Sequence, residues 1–141
     1  NFLKELISIS AATGFEVARP RILTIPNDRS ETYSDVLKKE TDKSNPQLIF
    51  CVVSNNQAMR YQTIKKKLCV DRPIPSQVVL ARTLTQKSPS MLRAVCNKVS
   101  VQINSKVGGT PWTVDVGALL PQLMVIGFDV CHEKSSSKAD Y

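Results

Sequence analysis

Two apolar runs, "QLIFCVVS" (residues 47–54) and "QVVLART" (residues 77–83), limit most strongly what this chain can fold into. Each run has the length and the β-branched content of a strand that is buried on both faces. A helical segment from about Ala58 to Leu68 lies between them, with the turn and breaker signals "SNNQ" and "DRPIPS" at its ends. This order predicts an α/β domain with a Rossmann-like, mostly parallel central sheet flanked by helices.

The flanking segments predict further elements around this unit. Apolar spacing over residues 2–11 indicates a helix, and a second apolar stripe begins after Ser88 and stops at Gly108. Ser30 is predicted to be the N-cap of a helix that runs through about Glu40. Short strands are expected at "RILTI" (21–25), "WTVDV" (112–116) and "LMVIGFDV" (123–130).

Composition narrows the class of partner. The 141 residues carry a formal charge of +7, with 42% apolar and 22% charged residues, which is a globular composition. The positive charge favours a polyanion such as nucleic acid. We expect no signal peptide and no membrane partner, because no apolar run approaches the roughly 18–20 residues that span a bilayer. The opening residues, without an initiator methionine, predict a piece of a longer protein.

The cysteines and the histidine offer little for metal chemistry. The cysteines are far apart and match no zinc spacing, so we expect free thiols in a reducing compartment. His132 has no second histidine to work with, and a structural or solvent role is expected for it. The cysteines are Cys51, Cys69, Cys96 and Cys131.

Polar side chains recur at helical spacing around the second apolar run. Tyr61 and Lys65 are four residues apart and share a helix face, and Gln77 begins the strand that follows. Gln102 and Lys106, also four apart, continue the later apolar stripe. A terminal phosphate would satisfy these donors, although a solvated lysine face, a surface tyrosine and a backbone-bonded amide stay open as alternatives. Ligands of parallel sheets bind at the carboxyl ends of the strands, which predicts the turn at residues 51–61 as the binding edge.

The same residues carry a family resemblance. Residues 61–84, "YQTIKKKLCVDRPIPSQVVLARTL", and 95–112, "VCNKVSVQINSKVGGTPW", closely resemble the MID domain of Argonaute proteins, in particular the PIWI clade, which carries small guide RNAs (piRNAs) in animal germ lines. "VIGFDVCH" resembles the first strand of the adjoining, RNase H-like PIWI domain. The resemblance implies a linker and entry to MID over residues 1–45, the MID core over 46–112, and an incomplete start of PIWI over 113–141.

That resemblance implies a module that anchors the 5′ end of a single-stranded guide RNA for RNA-guided silencing of transposons. By resemblance, Lys65, Gln77 and Lys106 bind the 5′-phosphate. Tyr61 stacks on the first base, and its hydroxyl meets the phosphate. Target RNA would be reached through the full-length protein, and the fragment itself is expected to be a monomer in the cytoplasm, with nuclear residence left open.

Three further positions are implied less directly. The turn "SNNQAMR" matches the loop that reads the first base, usually uridine, which makes Asn55 and Arg60 candidates for base recognition. Gln102 stands where animal AGO-clade proteins have a lysine. A neutral amide cannot neutralise phosphates, so the resemblance implies a divalent cation, Mg²⁺, held partly by the Gln102 carbonyl oxygen.

Asp129 matches the first carboxylate of the PIWI slicing site. Two-metal phosphodiester cleavage needs several acidic ligands, so we expect no catalysis by this chain, while the full-length parent stays a candidate RNA endonuclease. Of three hypotheses, a nuclease fails for this chain because one carboxylate is not a site. A non-enzymatic anchor for the guide 5′ end and a protein-interaction module whose basic face has no specific phosphate recognition stay open.

Overall fold

The structure, a computed structural model, describes residues 1–86 and 88–130, apart from the side chains of residues 118–120. A π-helical turn, Lys67–Asp71, continues the helix Ala58–Lys66, and a 3-10 helix, Gly117–Gln122, follows the helix Pro89–Lys106. None of the helices in these ranges is long and apolar enough to cross a membrane. The helices and strands are α1 (Phe2–Ala12), α2 (Ser30–Lys43), β1 (Ile49–Val53), α3 (Ala58–Lys66), β2 (Ser76–Leu80), α4 (Ala81–Leu84) and α5 (Pro89–Lys106).

The two strands pair in parallel, with Cys51 opposite Val78. Parallel neighbours cannot be joined by a tight hairpin and need a crossover, which α3 and the π-helical turn supply here. The predicted α/β fold, with a parallel sheet flanked by helices, is therefore confirmed.

Helices cover both faces of the sheet because side chains alternate along each strand. Cys51 and Val53 point into a cluster shared with α2 and α3, whereas Phe50 points into a cluster shared with α1 and α5. The first cluster is built on Tyr33, Leu37, Cys51, Val53, Ile64, Leu68 and Ile74. The second is built on Leu6, Ile9, Cys96, Val99 and Ile103. The result is three layers, with the sheet in the middle.

Helix α5 is held at both ends and in the middle. It starts after Ser88, as predicted, and ends with Lys106. Gly108 follows at φ +90°, a left-handed conformation that suits glycine and turns the chain away from the helix axis. In the middle, the buried hydroxyls of Ser10 on α1 and Ser100 on α5 share a hydrogen bond of 2.8 Å. These constraints set where the last turn of α5 lies against the sheet.

Helix α2 differs from its prediction at the start. Ser30 is its first residue and not its N-cap, because Arg29 occupies the capping position. The side chain of Asn27 takes over the entry to the helix: its Oδ1 accepts hydrogen bonds from the Arg29 N–H (3.1 Å) and the Thr32 hydroxyl (2.6 Å). The helix runs on to Lys43, beyond the predicted end.

The three short strands predicted at residues 21–25, 112–116 and 123–130 are wrong, since none of these segments forms a strand. A strand needs a neighbour for its backbone N–H and C=O groups, and within the described residues β1 and β2 pair only with each other. The apolar side chains of the last segment are also largely exposed: Met124 is 82% exposed and Phe128 is 90% exposed. Apolar alternation in these segments therefore did not lead to sheet pairing.

The cysteines in the described residues differ in burial. Cys51 and Cys96 are buried and Cys69 is exposed, and all three are free. Burial raises the pKa of Cys51 to about 11, so this thiol stays protonated at neutral pH. Cys131 and His132 lie outside the described residues.

The core assignment can be tested at Ile64, which is fully buried in the first cluster. Ile64→Ala should lower the free energy of unfolding by about 2–5 kcal/mol, because it removes buried methylenes and leaves a cavity, and Ile64→Val by about 0.5–1.5 kcal/mol. Urea denaturation measures both values. Val70→Ala, at a position that is 71% exposed, is the control and should change stability by less than about 0.5 kcal/mol. Equal losses at the two positions would contradict the packing described here.

Candidate functional site

Four of the five polar residues singled out in the sequence meet where β2 passes between α3 and α5, and the fifth, Tyr61, lies farther along α3 with its ring centroid 5.8 Å from Lys65 Nζ. Alternation along β2 sends the Ser76 side chain towards α3 and the Gln77 side chain towards α5. Lys65 reaches Ser76 from α3, and Lys106 reaches both residues from α5. Residues that are about 40 positions apart in sequence are thereby joined in one cluster.

The binding edge was predicted wrongly for part of this set. Ser76 is the first residue of β2 and pairs with Ile49, the first residue of β1, so the lysine cluster lies beside the amino ends of the strands. The physical reason is the return path of the chain: α3 carries it back past the sheet, which brings Lys65 to the start of β2. Tyr61, one turn earlier on α3, does lie at the predicted carboxyl edge.

Two ammonium groups share one carbonyl oxygen. Lys65 Nζ donates to Ser76 Oγ (2.9 Å) and to the Ser76 carbonyl (3.3 Å), and Lys106 Nζ donates to the same carbonyl (2.9 Å). Among the described residues, neither lysine forms an ion pair with a carboxylate. Burial, together with the positive charge of Lys65, lowers the pKa of Lys106 below its ordinary value. An anion beside the pair would relieve this repulsion.

A chain of amides extends from this pair. Lys106 Nζ can only donate, so it takes the Oε1 of Gln77 as its acceptor, at 2.6 Å. That orientation turns the Gln77 NH₂ group towards Gln102, whose Oε1 accepts at 2.9 Å. A carbonyl oxygen has two lone pairs, so Gln102 Oε1 retains one for a further donor or for a cation.

Tyr61 supplies an aromatic face next to the cations. Its side chain is about half exposed, and its ring centroid is 5.8 Å from Lys65 Nζ. The residue also lines a small cleft of about 130 Å³ at the carboxyl ends of the two strands. The other lining residues are Val53, Asn55, Asn56, Gln57, Arg60, Val78, Val79 and Leu80. A planar group can thus lie on the ring while a charged substituent reaches the lysines.

Asn55 and Arg60, which were predicted to recognise the base through the turn, both border this cleft, but their side chains are hydrogen-bonded to each other. Arg60 is buried, with 4% of its surface exposed, and its NH1 group donates to Asn55 Oδ1 at 3.1 Å. Arg60 also forms an ion pair with Asp28 at 2.9 Å. Burial works to raise the pKa of Asp28, but hydrogen bonds from Ser54 and Tyr33 and the charge of Arg60 outweigh it and hold that pKa below its ordinary value.

Sequence reasoning missed Ser76 and Asp28. Ser76 stands beside Gln77 in the "SQ" pair, and only the strand register shows that its carbonyl and hydroxyl hold both lysines. Asp28 stands in a polar stretch before α2, and its contacts to Ser54 and Arg60 lie more than 20 residues away in sequence. No periodicity could have indicated either contact.

Asp129 belongs to no cluster of three or more possible metal ligands in the described part of the chain. Asp129 is exposed, and its Oδ1 accepts a hydrogen bond from the N–H of Val130 at 2.8 Å. Residues 1–86 and 88–130 contain no group of three or more His, Cys, Asp or Glu side chains that could hold a metal ion. Two-metal cleavage requires several carboxylates that bind the ions together. In the described residues, Asp129 is not part of such a group.

Known proteins share both the sequence and this fold. The Piwi domain profile matches residues 48–140. The Piwi-like protein Siwi of Bombyx mori is 40% identical over 141 residues, which is 100% of this chain and 15% of Siwi. Protein aubergine of Drosophila melanogaster is 34% identical over 142 residues, covering 99% of this chain and 16% of aubergine.

A solved structure agrees with these matches. The crystal structure of Drosophila Piwi superposes with a TM-score of 0.74 at 35% identity, covering 82% of this chain and 16% of that one. The chain thus spans only 15% to 16% of the length of these relatives. The profile match, the relatives and the shared fold together show that the chain belongs to the Piwi family of Argonaute proteins.

Proposed function

We propose that this chain anchors the 5′ end of a single-stranded guide RNA, a piRNA, by binding the terminal phosphate and stacking the first base. The observation that carries the proposal is the lysine pair, in which Lys65 and Lys106 share the Ser76 carbonyl and, among the described residues, have no carboxylate partner. A terminal phosphate offers several strong acceptor oxygens and negative charge. It therefore suits a site that is rich in donors and short of anions.

The aromatic ring defines which end of a polyanion fits. Tyr61 presents a half-exposed ring one helical turn before Lys65. A nucleotide whose base lies on this ring would place its 5′-phosphate towards Lys65, Gln77 and Lys106. An internal phosphodiester carries less charge than a terminal phosphate, so the site favours a 5′-phosphorylated end. The uridine preference is proposed on the family resemblance.

The divalent cation is proposed on a narrower basis. Gln102 Oε1 keeps a free lone pair, and amide oxygens are ligands that Mg²⁺ and Ca²⁺ accept. The nearby lysines disfavour a cation in the protein alone, so the oxygen fits a metal only when guide phosphates add their charge. Under this proposal, Gln102 would be one protein ligand of Mg²⁺, and the ion would neutralise phosphate charge.

In the whole protein, this anchoring would serve RNA-guided silencing of transposons. Cleavage of a target RNA would require carboxylates in addition to Asp129, and we propose that role only for the full-length parent.

The phosphate site is tested by Lys65→Ala and Lys106→Ala. Each should weaken binding of a 5′-phosphorylated RNA by about 1.5–3 kcal/mol, the scale of a hydrogen bond to a charged group, and should leave a 5′-hydroxyl RNA almost unaffected. Fluorescence anisotropy with the two RNAs measures this. Lys98→Ala removes an exposed lysine of the same helix α5 and is the matched control. If wild type binds both RNAs equally, the protein is a basic interaction module and the anchor proposal is wrong.

The stacking role is tested at Tyr61. Tyr61→Ala should weaken binding by about 1–3 kcal/mol through lost base stacking, and Tyr61→Phe should cost less because only the hydroxyl is removed. The comparison uses a 5′-phosphorylated strand and the same strand with an abasic first position. Equal affinities of wild type for these two strands would argue against stacking.

The metal role is tested by Gln102→Lys. Adding Mg²⁺ at constant ionic strength should tighten RNA binding by wild type by about tenfold, or ~1.4 kcal/mol. The variant should lose this response, because its ammonium group supplies the charge without the ion. Gln62→Lys adds the same charge at an exposed position on α3 and should keep the response. Identical responses of Gln102→Lys and wild type would remove the metal assignment and leave the phosphate site standing.

A further inference from the structure

Arg60 is a fully engaged buried cation. Its guanidinium has five N–H donors, and it makes four hydrogen bonds and one ion pair with protein atoms. Nε donates to the Asp28 carbonyl (2.9 Å), and NH2 donates to Gln57 Oε1 (2.9 Å) and pairs with Asp28 Oδ2 (2.9 Å). NH1 donates to the Asn55 carbonyl (3.4 Å) and Asn55 Oδ1 (3.1 Å). All of these contacts go to protein atoms, so this residue acts on its protein neighbours.

Those neighbours are the residues of one loop and the single residue Asp28. The loop, Ser54–Gln57, joins β1 to α3, and Asp28 lies just before α2. The Asp28 carboxylate pairs with Arg60 and also accepts hydrogen bonds from the Ser54 and Tyr33 hydroxyls. Ser54, Asn55 and Gln57 are thus tied to the Asp28–Arg60 pair, which leaves Asn56 as the one loop residue outside these contacts.

The tied loop forms a wall of the cleft that Tyr61 lines. Asn55, Asn56 and Gln57 border that cleft, and Tyr61 follows Arg60 directly in the chain. Arg60 is turned inward, whereas the adjacent ring is half exposed. Arg60 is therefore hydrogen-bonded to the loop that borders the ring on which a base would lie.

The Arg60 side chain is buried and the Asp28 side chain is 36% exposed, so the pair is partly desolvated, and desolvating charges is a costly way to stabilise a fold. In some proteins such a pair instead selects one arrangement among similar ones. Asp28 and Tyr33 lie outside the match to the Piwi domain profile, which begins at residue 48. The segment from Asp28 to Tyr33 thus contributes to the geometry of a loop that lies within the match.

We propose that Asp28 and Arg60 are positioning residues that hold the loop Ser54–Gln57 in the shape that discriminates the first base of the guide. The inference rests on the proposed function, because it concerns the base next to the anchored phosphate. It assigns no direct contact between Arg60 and RNA. Base selectivity and phosphate affinity are then separable: the first depends on the loop, and the second depends on Lys65 and Lys106.

The test uses 5′-phosphorylated RNAs that differ only in the first base, together with a 5′-hydroxyl strand. Arg60→Lys keeps the charge but has three donors for five acceptors, and Asp28→Asn removes the carboxylate. In both variants the affinity ratio between the best and the worst first base should fall by roughly 2- to 30-fold. The phosphate-to-hydroxyl ratio should stay within about twofold, and the amides of residues 55–57 should exchange faster with solvent.

Two further variants keep the outcome interpretable. Ser54→Ala changes an exposed loop residue and removes only one hydrogen bond of the network, so it gives a milder fall in selectivity if the Arg60 and Asp28 variants do not fold. Asp42→Asn breaks the exposed pair of Asp42 with Arg72, away from the loop, and should change neither ratio.

The failures of the two proposals are distinguishable. A wild type that binds phosphate and hydroxyl strands equally would overturn the proposed function. A wild type that selects phosphate but no first base, or variants that lose affinity equally for all four bases, would overturn the positioning role and leave the phosphate site intact.

Discussion

The alternation of side chains at the start of β2 is the constraint on which the site depends. Ser76 faces one helical layer and Gln77 faces the other, so one dipeptide receives Lys65 from α3 and Lys106 and Gln102 from α5. A one-residue shift in the pairing of β2 with β1 would exchange these faces. The two apolar clusters prevent that shift, because the same alternation sends Cys51 and Phe50 to opposite layers.

The three cations of this region, Arg60, Lys65 and Lys106, differ in how their charge is balanced. Arg60 is paired with Asp28 and surrounded by loop acceptors, so its charge is balanced inside the protein. Lys65 and Lys106 have only neutral acceptors among the described residues, and the pKa of Lys106 is lowered by burial and by the charge of its neighbour. A cation whose charge is neutralised by a carboxylate of the protein holds protein segments together. Two neighbouring cations without such a carboxylate attract an anion. This contrast assigns Arg60 to the loop and the two lysines to the ligand.

The sheet and the main helices could be predicted because they rest on local patterns. The apolar runs around Cys51 and Val78 were long enough to indicate buried strands, and the spacing of Tyr61 with Lys65 and of Gln102 with Lys106 indicated shared helix faces. The same reasoning was wrong for residues 21–25, 112–116 and 123–130. Apolar alternation shows only that a segment suits a sheet, whereas pairing requires a neighbouring strand, and the described residues offer these segments none.

The sequence by itself determined the α/β class, the parallel pairing, the candidate residues Tyr61, Lys65, Gln77, Gln102 and Lys106 and, through its motifs, membership of the Piwi family. The tertiary structure decided what those residues do to one another. It placed the lysines at the amino ends of the strands, because α3 carries the chain back past the sheet. It also joined Asp28 to Ser54 and Arg60, contacts that span 26 and 32 residues. Hydrogen bonds across such separations depend on how the layers pack, and no local sequence pattern encodes them.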